Sequence, residues 1–150
     1  CWAMMDSGAG VPGINAKEHC PHLLHALHGA AVRERCITAN GGEMICDSEI
    51  ELESEMDGHT MNIKFSVLPI SCPILSVRRI VKKGNDVVFN DGGGYILHRQ
   101  SKRRIEFVER EGVYFIRMKI TGAVNRGGNE SGFDRRGAWT TSVILVTCAL

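Results

Sequence analysis

The chain has 150 residues, 43% of them hydrophobic and 23% charged, with eighteen basic against seventeen acidic side chains. That is enough for one globular domain, which at this size buries roughly two-thirds of its unfolded surface and needs no metal or disulfide to make a core. A net charge of +1 argues against a dedicated nucleic-acid or membrane surface, and seventeen glycines without long Ala/Leu/Glu/Lys-rich runs exclude a coiled coil, a helical bundle, a transmembrane protein and a disordered acidic tail.

Taken in chain order, Trp2-Ala3-Met4-Met5 is a short apolar run that ends abruptly in Asp6-Ser7-Gly8-Ala9-Gly10. It reads as a strand delivered into a small-residue loop headed by a carboxylate. From Ala16 to Arg35 lies the only long helix-like stretch, with Leu23, Leu24, Leu27 and Ala31 at helical spacing. Its histidines, His19, His22, His25 and His28, leave a surface loop as the alternative. Beyond it the pattern switches to β. Arg35-Cys36-Ile37-Thr38-Ala39 and Glu43-Met44-Ile45-Cys46 flank Asn40-Gly41-Gly42, and Asn-Gly between extended runs is a strong hairpin signal. Glu49 to Glu53 and Met61 to Leu68 alternate cleanly about a turn at Asp57-Gly58, as half-buried antiparallel strands do. Pro69 and Pro73 bracket a further turn. Ile74 to Val81 then predicts a short amphipathic helix stopped by Lys82-Lys83-Gly84.

The remainder predicts hairpins. Val87-Val88-Phe89 and Tyr95-Ile96-Leu97 flank Asn90 to Gly94, and Ile105 to Glu109 and Val113 to Met118 flank Arg110-Glu111-Gly112. Gly92-Gly93-Gly94 is not a phosphate loop, because no helix with Lys-Ser/Thr follows. Arg99 and Lys102-Arg103-Arg104 read as a solvated hairpin face, since Glu106, Glu109 and Glu111 offset them and no aromatic platform is interleaved. From Thr121 to Gly137 the chain is Gly-rich and without period. The apolar tail from Ser142 to Leu150 is too short to cross a bilayer, which takes about 20 residues. The expected division is therefore a domain over 1–120 and a linker with an apolar tail over 121–150.

The cysteines are Cys1, Cys20, Cys36, Cys46, Cys72 and Cys148, and no pair has the spacing of a zinc half-site. Free thiols in a cytoplasmic protein are the simpler expectation. His22, His25 and His28 recur every three residues and drift round a helix instead of converging, so neither a metal nor a cofactor is expected. The opening Cys1-Trp2-Ala3, without an initiator methionine, is what a fragment or excised domain would show.

An Asp in a Ser-Gly-Ala loop directly after an apolar strand follows the site logic of an aspartic protease. That reaction needs two carboxylates about 3 Å apart sharing one proton, one acting as general base to water while the other polarises the scissile carbonyl. A single-lobe enzyme supplies one Asp per subunit. It also needs a hairpin flap and a later apolar-apolar-small segment packed under the loop, and the order here provides both.

The chain resembles the protease region of Copia-type LTR-retrotransposon Gag-Pol polyproteins, a branch of the retropepsin-like aspartic proteases. The residues that carry the likeness are Trp2 with Asp6-Ser7-Gly8-Ala9, then Ala39-Asn40-Gly41, then Phe65-Ser66-Val67-Leu68. Ile74-Leu75-Ser76-Val77-Arg78-Arg79-Ile80, Lys83-Gly84, Val87-Val88-Phe89 and Tyr95-Ile96 continue it, and coverage is roughly residues 2 to 120. The chain departs from the family pattern at Gly10-Val11-Pro12, and at Arg78 and Arg79, where small polar residues are usual. The resemblance implies an all-β fold: a retropepsin-like closed β-barrel with one short helix, followed by β-hairpins. It implies a homodimeric endopeptidase acting on a polypeptide, with Asp6, Ser7 and Gly8 catalytic, and with Ala9 and the flap residues Ala39, Asn40, Gly41 and Gly42 against substrate. The alternative is a catalytically silent β-barrel kept as a binding or structural module.

Overall fold

The computed structural model describes residues 1–38, 40–124 and 140–143. Twelve strands run among these: β1 (Trp2–Asp6), β2 (Gly13–Ile14), β3 (His28–Ile37), β4 (Glu43–Met56), β5 (His59–Val67), β6 (Ile74–Ser76), β7 (Asn85–Asn90), β8 (Gly93–His98), β9 (Arg104–Arg110), β10 (Val113–Arg117), β11 (Lys119–Ala123) and β12 (Thr140–Val143). Two short helices, α1 (Ala16–His19) and α2 (Val77–Lys82), and a 3₁₀ segment at Pro21–Ala26 complete the described elements. The class is all-β.

The hairpins form where turn chemistry demands them. Asp57 and Gly58, at φ 49° and 74°, make a two-residue turn between β4 and β5, and Glu111 and Gly112, at 53° and 80°, make another between β9 and β10. Positive φ at both central residues matches the right-handed twist of the flanking strands. β4 alternates as expected, burying Ile50, Leu52, Ser54 and Met56 on one face. Gly93 and Gly94 belong to β8 instead of the turn. A Cβ on Gly94 would stand 2.1 Å from the Val88 carbonyl oxygen and 2.5 Å from the Phe107 ring, so only glycine lets that strand pass.

Two expected helices change. The stretch from Ala16 to Arg35 is not one helix: α1 stops after four residues, a 3₁₀ turn follows, and β3 takes over at His28. Pro21 has no N–H to continue an α-helical ladder, and pairing with β4 then claims the rest. Likewise Ile74-Leu75-Ser76 is strand, and the helix begins only at Val77. Ser76 is its N-cap, its side-chain oxygen accepting from the Arg79 amide, and Gly84 (φ 88°) ends the turn after Lys82-Lys83.

The hydrogen-bonded order is β12-β3-β4-β5-β2-β6-β1-β10-β9-β8-β7, with β11 paired to β4, and the sheet is not closed. β11 runs across the expected boundary between 120 and 121, and β12 lies parallel to β3. The remaining residues of the expected linker and tail, 125–139 and 144–150, lie outside the described residues, as does Ala39 of the expected flap.

The interior has two parts. The larger gathers Ala3, Met5, Ile14, Ile50, Leu52, Phe65, Leu75, Ile96, Ile105, Phe107, Ile116 and Met118. The smaller joins Met4, Ala9 and Val11 to Cys36 and Cys46 of the β3–β4 hairpin and to Leu68, Ile70 and Ile74. β1 alternates between the two, so it is the wall they share. Among the described residues, Cys1, Cys20, Cys36 and Cys46 are free thiols, and no helix is long and apolar enough to cross a membrane. Phe65 is fully buried in the larger part. Phe65→Ala should lower the unfolding free energy by about 3–5 kcal/mol, read as a shift of the urea midpoint at constant slope.

Candidate functional site

The site is built on a parallel pairing between strands far apart in sequence. Met4, Met5 and Asp6 of β1 lie in register with Ile74, Leu75 and Ser76 of β6. Five residues per strand or fewer would hold such a pair weakly, so side-chain bonds across it matter. Ser76, 1% exposed, supplies them: its hydroxyl donates to the Ala9 carbonyl at 2.6 Å while accepting from the Arg79 amide at 3.3 Å. Arg79 Nε then donates to the Gly10 carbonyl at 3.1 Å. The loop after β1 is thus tied to the first turn of α2 at two successive carbonyls.

Within the loop, the Gly8 amide donates to Asp6 Oδ1 at 2.7 Å. Asp6 Oδ2 is buried and has no hydrogen-bond partner among the described residues. Burial pushes the Asp6 carboxyl above its ordinary value of 3.8, while the Gly8 and Ala9 amides pull it down. A carboxylate with one oxygen anchored by backbone and the other bare inside the protein is poised to share a proton. Ser7 is exposed, and its hydroxyl makes no hydrogen bond among the described residues. Ala9 is buried, with its carbonyl taken by Ser76.

The β3–β4 hairpin closes through Thr38 and Gly42. The Thr38 amide donates to the Gly42 carbonyl at 2.8 Å, and the Gly41 amide to the Thr38 carbonyl at 2.9 Å, with Gly41 at φ 82°. The Asn40 carboxamide oxygen accepts from the Thr38 hydroxyl and from the Gly42 amide. Asn40, Gly41 and Gly42 are exposed. The turn end of the hairpin packs with the Asp6 loop, because Cys36 and Cys46, close behind the Ile37–Glu43 pair, share one cluster with Ala9 and Val11. Burial pushes the Cys36 thiol up to about 11, with Cys46 and Glu34 adding to the shift, so it is packing matter at neutral pH.

Arg79 is thus a tie to the Asp6 loop. Only its spacing from Ser76 (one helical turn) hinted at that role. Nothing in the sequence marked the groove of about 860 Å³ beside it, which Val11, Glu34, Ser76 and Arg79 help to line and Asp6 does not. Burial raises the Glu34 carboxyl, Arg79 and Lys64 lower it, and Glu49 raises it. Glu49 in turn lies 2.6 Å from Lys64 Nζ. Among the described residues, no three His, Cys, Asp or Glu side chains are grouped to hold a metal ion. No family model, curated protein or solved structure matches the chain.

Two outcomes test the geometry. Ser76→Ala leaves the buried Ala9 carbonyl unpaired and should cost about 1–3 kcal/mol in chemical unfolding. Because the Asp6 pKa is raised, its neutral form favours the folded chain, and that contribution is lost as pH climbs above 3.8 through the raised value. The melting temperature of Asp6→Asn, minus that of the native chain, should therefore be larger at pH 7 than at pH 3. A difference independent of pH would show that the carboxyl is not held in a desolvating site.

Proposed function

We propose that the chain is an aspartic endopeptidase of retropepsin-like type, working in the cytoplasm on a retrotransposon Gag-Pol-like polyprotein, with one catalytic Asp6 in each subunit of a homodimer. The observation that carries this reading is the bare, buried Oδ2 of Asp6 in a loop whose other oxygen is held by the Gly8 amide. One chain supplies one such carboxyl, and the two-fold axis of an isologous dimer would set a second beside it. Two carboxyls at that separation cannot both ionise, so a proton is shared between them. Water lying between them gives up a proton to the ionised one and attacks the peptide carbonyl, which the protonated one polarises.

Several parts of the fold support the reading. β6 runs parallel to β1 and passes straight into α2, which puts an apolar-apolar-small segment under the Asp6 loop. The β3–β4 hairpin, tied at its tip by Thr38 and Asn40, is of a form suited to cover an extended substrate. β10 pairs with β1 while β11, on the same length of chain, pairs with β4. Ser7, exposed at the loop, is placed to bond the second subunit's backbone. Catalysis draws on carboxylates, a water and backbone donors, and needs neither metal nor cofactor.

The test is cleavage of a longer precursor carrying this segment at mildly acidic pH, native against Asp6→Asn. Asp6→Asn should reduce the rate by about 10²–10⁴-fold or more, since it removes the general base. Equal cleavage by both would overturn the proposal, as would a chain that remains monomeric by sedimentation while still cutting.

A further inference from the structure

β5 carries an open strand edge that the chemistry of Asp6 does not use. The two-residue turn makes Met56 and His59 the closing hydrogen-bonded pair of the β4–β5 hairpin. Bonded and non-bonded pairs then alternate, so Thr60, Asn62, Lys64 and Ser66 turn their amides and carbonyls away from β4. The Ser66 amide confirms the phase, since it donates outward to the Pro12 carbonyl at 2.9 Å. β2 occupies that outer lane only opposite Ser66 and Val67. Among the described residues, Thr60, Asn62 and Lys64 have no backbone partner there.

The vacant lane is lined on both sides. Every residue from His59 to Lys64 borders the groove of about 860 Å³. Successive side chains of a strand point to opposite faces, so an unbroken run means that the backbone edge itself forms the wall. Ile80 of α2, Ile96 of β8 and Ile105 of β9 line it too, as do the exposed Lys83 and Arg103. The ion pairs among the described residues are Arg35–Glu43, Lys64–Glu49, Arg99–Asp86 and Arg104–Glu106, which leaves Lys83 and Arg103 without acidic partners. Four bases (Lys64, Arg79, Lys83 and Arg103) face two acids (Glu34 and Glu49) around the groove, so its field favours a negatively charged occupant. Proteins normally cover, charge or shorten an edge of this kind, because it invites another strand.

We propose that this edge is a docking lane for an extended peptide of alternating apolar and acidic residues, which adds as a strand beside Thr60, Asn62 and Lys64. Its apolar side chains meet Ile80 and the small area that the core residues Ile96 and Ile105, each 7% exposed, present to the groove, and its acidic ones meet Lys83 and Arg103. Main-chain bonds supply the affinity and the alternate pockets the selectivity. The lane is separate from Asp6 and operates whether or not the chain cleaves peptides.

The probe is a fluorescein-labelled peptide of alternating valine and aspartate, titrated by anisotropy into the Asp6→Asn chain so that it is not cut. Binding should bring hydrogen-exchange protection of the Thr60, Asn62 and Lys64 amides. N-methylation of alternate probe amides should weaken it by about tenfold or more, since several main-chain bonds are lost. The double variant Lys83→Glu with Arg103→Glu should prefer a valine–lysine probe by about tenfold. Asn62→Pro removes an outward N–H without breaking a bond to β4, and should weaken the probe while circular dichroism stays unchanged. The proposal is overturned if the probe does not bind, if N-methylation leaves its affinity intact, or if protection falls elsewhere. It is also overturned if the three amides become protected with rising chain concentration and no peptide, which would assign the edge to a second copy.

Discussion

The parallel contact of β1 with β6 is the constraint on which the rest depends. Three residue pairs join segments about seventy positions apart, Met4 with Ile74 through Asp6 with Ser76. Parallel strands need a long connection, and here the connection is the whole β2–β5 system. Closing so large a loop costs entropy before any contact offsets it. Ser76 makes the contact worth forming, because one buried hydroxyl both holds the Asp6 loop and caps α2. Strand pairing, loop conformation and helix start are therefore one event, and damage to any of them reaches the other two.

That arrangement leaves a carboxyl in an uncomfortable position. Asp6 is half-buried at the end of a strand whose neighbours Ala3, Met4 and Met5 are all core. The Gly8 and Ala9 amides compensate in part, yet burial outweighs them. A purely structural turn would gain by placing that Asp oxygen in water. Keeping it inside, with one oxygen bare, costs stability.

Much of this was legible in the residues, and the rest was hidden for physical reasons. The turns at Asp57-Gly58 and Glu111-Gly112 followed from backbone preference alone, which is local. So did the alternation of Ile50, Leu52 and Met56, which only asks that one face of a strand be buried. Ile74-Leu75-Ser76 looked helical because its apolar residues and the basic run after them fit one helical face. Its strand state is set by Met4 and Met5, which no local window contains. Leu23 to Ala31 failed in the same way, since β4 offered His28–Ile37 a better partner than a Pro21-interrupted helix could. Asp6 was visible as an anomaly in a loop; the ties that hold that loop at the Ala9 and Gly10 carbonyls were not, because they depend on Ser76 and Arg79 arriving from elsewhere.

The open edge of β5 follows from the same long-range pairing. β2 must end at Ile14 for the chain to turn into α1, and with two residues it can satisfy only the far end of β5. The upstream amides of that lane lie beyond Pro12, a residue with no N–H to offer and a φ that suits a strand's end. The short strand that follows the Asp6 loop is thus also what leaves the outward backbone groups of Thr60, Asn62 and Lys64 without a partner among the described residues. α2 starts at Ser76, and it and its C-cap bring Ile80 and Lys83 into the groove lining. One serine and one proline set the geometry of both the carboxylate loop and the groove beside it.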